Sequence, residues 1–265
     1  MEGGSELSPQ AGQIVKKLRV RVRAIEVVRE ARSLSKRFRE LSRESGGALD
    51  LQGFAQARHG ALIPLPRLYS IVDPSLLPGT ADLLAFVAEL ASGGCTLLQY
   101  RNKTGQARMM VEHARTLRTR LGKSVTLVMN DRADLCVAAG FDGVHVGQDD
   151  LSPGSVRRII GADRLLGVST HNPEQLQDAD LTSADYLAIG PVFVTSSKLN
   201  PDPVLGLEGV RRARALTRKP LVAIGGISRA NAASVIEAGA DSVAVISDLL
   251  RDPRKSAEEF FRILR

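Results

Sequence analysis

Two carboxylates each follow a short apolar run that is typical of a buried β-strand. Asp131 comes directly after Asn130 at the end of one run, and Asp150 closes the segment 147–150 after the next run. If these runs are neighbouring parallel strands, the two carboxylates stand at one end of the sheet. Mg²⁺ takes oxygen ligands, often one or two carboxylates completed by phosphates and water, so the pair suits this ion. The alternative for Asp131 and its neighbour is a helix N-cap.

Cationic side chains follow other apolar runs. Arg101 and Lys103 alternate with Gln99 along one segment, and Lys198 follows a later run. Arginine recognises phosphate oxygens in a planar, bidentate way and lysine supplies a compact charge, so this set suits a polyanionic substrate. Taken alone, the cations are also compatible with an ordinary solvated surface.

A glycine pair and a serine suggest a second anion site. Gly225 and Gly226 end one apolar run, and Ser247 follows the next. Glycine lets the backbone approach a phosphate closely, and backbone N–H groups at a helix start bind it. The alternative is a tight βα turn. Two anion sites and a metal together suggest group transfer between two phosphorylated substrates.

Eight strands and the helices between them must position these residues. The predicted strands are Leu68–Val72, Thr96–Tyr100, Val125–Met129, Gly143–Val146, Leu165–Val168, Tyr186–Ile189, Leu221–Ile224 and Ser242–Ile246. The predicted helices are Ala81–Ser92, Gln106–Leu121, Ala133–Ala139, Ser155–Ile160, Pro173–Asp180, Leu207–Thr217, Asn231–Ala238 and Ser256–Leu264. Regular strand–helix alternation predicts parallel strands joined by crossover helices.

Eight such units favour an α/β fold of the (β/α)8 type, a TIM barrel, over residues 67–265. A doubly wound open sheet is the alternative, although no Gly-x-Gly-x-x-Gly follows the first strand. Residues 1–66 form a separate predicted region: an amphipathic helix over 13–44 and then a linker rich in glycine and proline. We therefore expect a barrel domain with an N-terminal helical extension.

Charge and cysteine content limit the classes of partner and the cellular location that we expect for the protein. Residues 1–66 hold 12 Lys and Arg against 7 Asp and Glu, so +5 of the net charge of +7 lies there. The nearly neutral remainder argues against a general nucleic-acid binder. Two cysteines, Cys95 and Cys136, lie among apolar residues and indicate buried reduced thiols rather than a disulfide framework. Without a recognisable signal peptide or apolar span, we expect a cytoplasmic protein.

The basic helix in 1–66 has several possible roles. Its charged face suits RNA, an anionic membrane surface or a partner helix. Alternatively it packs on the barrel, or translation starts downstream of it. The sequence does not decide between these, nor does it give the oligomeric state.

The order and spacing of the rim segments resemble those of the thiamine-phosphate synthase family throughout 67–265. The segments that carry the resemblance are Gln99-x-Arg101-x-Lys103, Asn130-Asp131-Arg132, Gly143-Val144-His145-Val146-Gly147-Gln148-Asp149-Asp150, Gly167-Val168-Ser169, Gly190-Pro191-Val192-Phe193, Thr195-x-Ser197-Lys198, Ala223-Ile224-Gly225-Gly226-Ile227 and Val245-Ile246-Ser247. Each segment is weak alone, and their joint occurrence is specific.

The resemblance implies a transferase of thiamine biosynthesis. Its substrates would be hydroxymethylpyrimidine diphosphate and hydroxyethylthiazole phosphate, and its products thiamine phosphate and pyrophosphate. It implies that the diphosphate is held by Gln99, Arg101, Lys103, Asn130, Ser169 and Lys198, with Arg101, Lys103, Ser169 and Lys198 assisting catalysis. It implies Mg²⁺ on Asp131 and Asp150. It implies that the thiazole phosphate is held by Thr195, Ser197, Gly226, Ile246 and Ser247.

The resemblance has departures and one close alternative. Asn102 stands where the family often has Glu, and its side chain should point away from the ligand. Ser197 replaces a Thr and keeps the hydroxyl. The alternative is a thiazole tautomerase on the same barrel, which tends to lack the Gly-Gln-x-Asp segment (147–150) and Gly190-Pro191. Whether the thiazole substrate carries an extra carboxyl group stays open.

Overall fold

The computed structural model describes residues 65–195 and 202–265, and they form a closed barrel of eight parallel strands in sequence order. The first strand pairs with both the second and the eighth, which closes the sheet. The strands are β1 Leu68–Val72, β2 Leu97–Tyr100, β3 Thr126–Asn130, β4 Gly143–Val146, β5 Leu165–Thr170, β6 Tyr186–Ile189, β7 Leu221–Ile224 and β8 Ser242–Val245. This confirms the predicted (β/α)8 fold.

Eight helices cover the outside of the described barrel. They are α1 Thr80–Ser92, α2 Ala107–Leu121, α3 Ala133–Ala139, α4 Pro153–Ile160, α5 Pro173–Asp180, α6 Gly206–Leu216, α7 Ala232–Glu237 and α8 Pro253–Ile263, with short 3-10 helices at Pro74–Leu76 and Ser247–Leu249. Within the described ranges, no helix has the length and apolar character needed to span a bilayer. The predicted helix over 13–44 lies outside the described residues, so the role of 1–66 stays a prediction.

Two apolar layers follow from the alternation of side chains along each strand. One layer packs between the sheet and the helices and includes Leu98, Leu127 and Val144. The other fills the barrel and includes Tyr69, Tyr186, Val128 and Ala244. Because successive side chains point to opposite faces, residues two positions from an inner-layer residue on the same strand also point inward, and so do their partners in register on the next strand. By this rule the residues that point inward include the polar residues Gln99, Asn130, His145 and Ser169.

Three aspartates at the start of strands repeat one local arrangement. Asp142 accepts the Leu127 N–H at 2.8 Å, and Arg118 of α2 pairs with it. Asp185 and Asp241 accept the N–H groups of Leu166 and Leu221 in the same way, each at 2.8 Å, with Arg157 and Arg214 as their cations. A carboxylate that binds both a backbone donor and a guanidinium fixes helix to strand. The repeat lies at the end of the barrel opposite the predicted site.

The strand ends differ from the prediction at two places that matter. Asn130 and Thr170 are the last residues of β3 and β5, whereas the prediction ended these strands at Met129 and Val168. Both extra segments continue the ladder, since Asn130 is in register with His145 and Thr170 with Ile189. The N-cap interpretation of Asn130 and Asp131 is wrong, because the residue before α3 is Arg132 and no side chain caps it.

Candidate active site

The segment after β2 carries the two cations that the sequence predicted. Gln99 lies inside the barrel with 3% of its surface exposed, and the Arg101 N–H extends the ladder by donating to the Val72 carbonyl at 2.9 Å. The Asn102 side chain accepts the Gly105 N–H at 2.7 Å, so it closes the loop. Arg101 and Lys103 directly follow β2 and therefore lie at the rim of the barrel.

Arg101 is held by Asp73, a residue that the sequence analysis missed. The Arg101 guanidinium pairs with one carboxylate oxygen of Asp73, and the other oxygen accepts the Ser75 N–H at 3.0 Å. Asp73 is 6% exposed and follows the last residue of β1. A buried carboxylate that fixes one edge of a guanidinium leaves the remaining N–H groups available to a ligand.

Lys103, Asp131 and Asp150 form a second cluster, which joins the ends of β2, β3 and β4. The Lys103 ammonium pairs with the Asp131 carboxylate. Asp131 has a φ of 61°, unusual outside glycine, and its N–H donates to the His145 carbonyl at 2.7 Å. Burial raises the pKa of Asp131, the Lys103 ammonium opposes that effect, and the nearby Asp150 carboxylate adds to it. The two predicted metal ligands are therefore close neighbours.

The donor set fits Mg²⁺ only with help from a substrate. Asp150 also accepts the Gly147 N–H at 2.7 Å, which orients its carboxylate. In the described part of the chain, no group of three or more His, Cys, Asp or Glu side chains could hold a metal ion. Two carboxylates completed by phosphate oxygens and water are a common arrangement for Mg²⁺. The two carboxylates would therefore supply only part of the ligand set of this ion.

A hydrogen-bonded pair lies beneath this cluster. His145 is 7% exposed, and its Nε2 lies 2.8 Å from the Ser169 hydroxyl. Burial lowers the pKa of His145 to about 4, so the ring is neutral at physiological pH. The Gln148 amide donates to the Ser169 carbonyl at 2.6 Å. Ser169 is half-buried and is fixed on both its side chain and its backbone.

The glycine turn after β7 lies against the loop after β6. Phe193 N–H donates to the Gly225 carbonyl at 3.0 Å. Gly226 has a φ of 62°, and a Cβ there would come within 2.8 Å of the Phe193 Cβ and still nearer to the Val194 carbonyl. Only glycine fits this close approach. The turn therefore brings the loop that leads to Thr195 next to the Gly226 backbone.

The end of β8 lies next to the glycine turn and carries the last two residues of the predicted second anion site, Ile246 and Ser247. Ile246 directly precedes the 3-10 helix that starts at Ser247. Arg229 fixes this helix to the β7 loop by donating to Asp248 from its backbone at 2.8 Å and from its side chain at 3.0 Å. Backbone turns of this kind after strands 7 and 8 are frequent phosphate sites in TIM barrels.

Most of the predicted site residues lie at one end of the barrel. Ser197 and Lys198 lie outside the described residues, and Thr195 stands at the edge of the described range. His171 is half-buried, and its Nδ1 lies 2.7 Å from the Gly190 carbonyl. Cys95 and Cys136 are free and buried, as predicted.

The closed parallel barrel and its polar rim define a (β/α)8-barrel protein with a ligand site at the carboxyl ends of the strands, the arrangement of enzymes with this fold. The model of the thiamine monophosphate synthase family matches residues 68–249. The chain belongs to this family of transferases.

Individual relatives agree with the family match. The thiamine-phosphate synthase of Koribacter versatilis (strain Ellin345) is 62% identical over 205 residues, which cover 76% of this chain and 97% of the relative. That of Chloroflexus aurantiacus is 44% identical over 68% of this chain and 83% of its own. The solved thiamine phosphate pyrophosphorylase from Pyrococcus furiosus is 32% identical, with a TM-score of 0.67 over 75% of this chain and 95% of its own. These relatives give no support to the tautomerase alternative.

Proposed function

We propose that the chain joins hydroxymethylpyrimidine diphosphate to hydroxyethylthiazole phosphate, giving thiamine phosphate and pyrophosphate. The observation that carries the proposal is the cluster of Lys103, Asp131 and Asp150 beside the Arg101–Asp73 pair. Two cations and two carboxylates at one rim suit a metal-bound diphosphate better than a neutral substrate.

The diphosphate lies on β2, β3 and β5 in this proposal. Arg101 and Lys103 bind its oxygens, and the Ser169 hydroxyl donates to it. Gln99 and Asn130 line the barrel mouth beneath it. Lys198, which lies outside the described residues, would supply a further cation. Arg101 is already oriented by Asp73 before the substrate arrives, so little reorganisation accompanies binding.

Asp131 and Asp150 would hold Mg²⁺. The bound ion would act as a Lewis acid that offsets negative charge on the diphosphate. Lys103 lies on Asp131 and, in our proposal, turns towards the diphosphate when substrate and ion are bound.

Carbon–oxygen cleavage comes first in the proposed reaction. The electron pair of the bond between the pyrimidine methylene carbon and the diphosphate oxygen leaves with pyrophosphate, and Arg101, Lys103 and Lys198 stabilise the growing negative charge. The electron-rich pyrimidine stabilises the resulting carbocation. The thiazole nitrogen then attacks this carbon with its lone pair and becomes a thiazolium. No proton moves, so no general base or protein nucleophile is needed.

The thiazole phosphate occupies the second region in this proposal. The hydroxyls of Thr195 and Ser197 and the backbone at Gly226, Ile246 and Ser247 bind its phosphate. The Gly226 turn lies against the β6 loop, so this contact places the Gly226 backbone next to the segment that leads to Thr195. Holding the nitrogen near the carbocation makes the second step effectively unimolecular.

A direct assay of the purified full chain tests the proposal. The protein is mixed with both substrates and Mg²⁺, and thiamine phosphate and pyrophosphate are separated by chromatography. Asp131→Asn is the test variant, and Asp149→Asn is the matched control because Asp149 is exposed.

We expect thiamine phosphate and pyrophosphate to form in equal amounts, and Asp149→Asn to form as much of each as the wild type. Product should vanish with EDTA and fall by about 10²-fold or more in Asp131→Asn, because a lost metal ligand should cost at least as much as a lost outer partner. No product from folded wild-type protein contradicts the proposal.

A further inference from the structure

A buried chain of hydrogen bonds crosses the barrel interior and ends at the candidate site. The Gln99 amide Nε2 donates to the Tyr69 hydroxyl at 2.9 Å. The Tyr69 and Tyr186 hydroxyls lie 2.8 Å apart, and the Tyr186 hydroxyl lies 3.0 Å from the His145 Nδ1. His145 Nε2 then lies 2.8 Å from the Ser169 Oγ. Four bonds therefore link the mouth at β2 with the mouth at β5.

Counting the protons gives this chain a direction. Tyr69 accepts from Gln99, and because the phenol is 1% exposed its own proton goes to the Tyr186 hydroxyl. Tyr186, also 1% exposed, must then donate its proton to the His145 Nδ1. A nitrogen that accepts carries no proton, so the proton of His145 is on Nε2 and is donated to Ser169.

The space around the ring pair shows that the arrangement is built into the fold. Gly167 on β5 stands in register with both His145 on β4 and Tyr186 on β6. A Cβ at Gly167 would overlap the His145 Nδ1 and the Tyr186 ring. The two rings stack with centroids 5.5 Å apart, so only a glycine between them allows the contact.

We propose that His145 is a positioning residue that holds the Ser169 hydroxyl as an outward-facing donor to an anionic oxygen of the substrate. Since the Ser169 oxygen accepts from His145, its own proton is free to point towards the barrel mouth. The inference rests on the proposed function, which makes Ser169 a contact of the diphosphate.

The direction of the chain matters because a phosphate oxygen accepts hydrogen bonds and cannot donate them. If the chain ran the other way, Ser169 would donate to His145 and would present only lone pairs to the anion. The direction of donation that starts at the Gln99 amide thus leaves the Ser169 hydroxyl proton free to be donated to an anion. His145 acts on the substrate only through Ser169.

The tautomer of His145 is the first test, and it needs no substrate. The full chain holds four histidines, so ¹⁵N-histidine labelling gives few signals, and those lost in His145→Gln are assigned to His145. We expect the proton on Nε2 in the wild type. Tyr186→Phe removes the donor to Nδ1 without leaving a large cavity, and we expect the Nδ1–H form to grow in this variant. A wild-type ring with its proton on Nδ1 overturns the inference.

Binding of inorganic pyrophosphate with Mg²⁺, measured by calorimetry, is the second test. We expect His145→Leu and Ser169→Ala to weaken binding about tenfold each, and the double variant to bind like Ser169→Ala alone. His145→Gln should restore most of the affinity, because its amide donates to Ser169 in place of Nε2. His113→Leu is the matched control, because His113 pairs with Tyr100 on the outer side of the sheet.

The outcomes separate this inference from the proposed function. Pyrophosphate binding with the expected tautomer and the non-additive pattern, but without formation of thiamine phosphate, refutes the proposed function and leaves the role of His145 standing. Additive losses in the double variant, or no rescue by His145→Gln, overturn the inference even when product is formed. Absence of pyrophosphate binding by the wild type contradicts both.

Discussion

Arg101 forms an ion pair with Asp73, and this contact joins the ends of β1 and β2 at the mouth of the barrel. Both oxygens of Asp73 are engaged, one by Arg101 and the other by the N–H and the hydroxyl of Ser75. The Asp73 side chain is 7% exposed, whereas the Arg101 side chain is 23% exposed. The buried partner therefore fixes the direction of a cation whose other face is open to ligand.

Asp73→Asn should impair substrate binding. The amide keeps the shape and can still accept from Ser75, but it no longer holds the guanidinium by charge. Since hydrogen bonds to charged groups contribute about 1.5–3 kcal/mol, we expect kcat/KM for the pyrimidine diphosphate to fall about 10- to 100-fold. Initial rates at varied diphosphate measure this. Glu112→Gln, which breaks the exposed Arg108–Glu112 pair, should leave the rates unchanged, and an unaltered KM in Asp73→Asn would count against the role of Asp73.

Asp150→Asn should raise the Mg²⁺ concentration needed for half-maximal activity. The carboxylate is oriented by the Gly147 N–H and lies near Asp131, so the amide would keep the fold and lose the charge. Mutation of a residue that hydrogen-bonds a metal ligand lowers metal affinity about 10- to 100-fold, and we expect at least this loss of Mg²⁺ affinity when the ligand itself is replaced. The matched variant Asp149→Asn should titrate like the wild type. Identical Mg²⁺ curves for the two variants would remove Asp150 from the metal site.

Gly167→Ala should destabilise the barrel strongly. The new methyl would overlap His145 and Tyr186, two buried rings with no room to move. Overpacking a well-filled core costs about 1–3 kcal/mol and sometimes more, so we expect the free energy of unfolding in urea to fall by at least that amount. Gly154→Ala is the control, because nothing lies within 4 Å of its Cβ position in α4. That variant should be neutral or more stable, by up to about 1 kcal/mol; equal effects of both substitutions would contradict the packing argument.

The free energy of unfolding should fall at acidic pH because His145 is buried in its neutral form. The unfolded chain protonates His145 near pH 6.5, whereas burial lowers its pKa in the folded protein to about 4. The unfolded state therefore binds more protons in this window, and stability falls as pH drops from 6.5 towards 4 and no further below it. The shift corresponds to about 3 kcal/mol. Urea unfolding at pH 7 and pH 4.5 should show a larger loss in the wild type than in His145→Gln, and equal losses would refute the assignment.

The fold was predictable because its signals are local. Each strand and α-helix of the described barrel was predicted from apolar spacing, and the errors in these elements are confined to the ends, as at Asn130 and Thr170. The two short 3-10 helices were not predicted. At these two strand ends a polar side chain interrupts the apolar run while the backbone continues its pairing with the next strand. A prediction from hydropathy depends on the side chains, whereas strand pairing depends on the backbone. The predicted strand end therefore falls short of the observed one where the last residues of a strand are polar.

The partners of the site residues were not predictable, because they depend on contacts across the barrel. Asp73 precedes a proline and a serine and therefore indicates only a turn, which it does cap. Its second role, towards Arg101, joins residues 28 positions apart. His145, Tyr69 and Tyr186 read as ordinary strand residues until the closed sheet places them on its inner face. The one local hint was Gly167, whose need for space became clear only from its register with two rings.

A crystal structure of the full chain with Mg²⁺ and pyrophosphate would show where a diphosphate binds. We expect pyrophosphate at the mouth between Arg101, Lys103 and Ser169, with the ion on Asp131 and Asp150. Pyrophosphate bound instead at the Gly226 turn, or an ion that touches neither aspartate, would contradict this expectation.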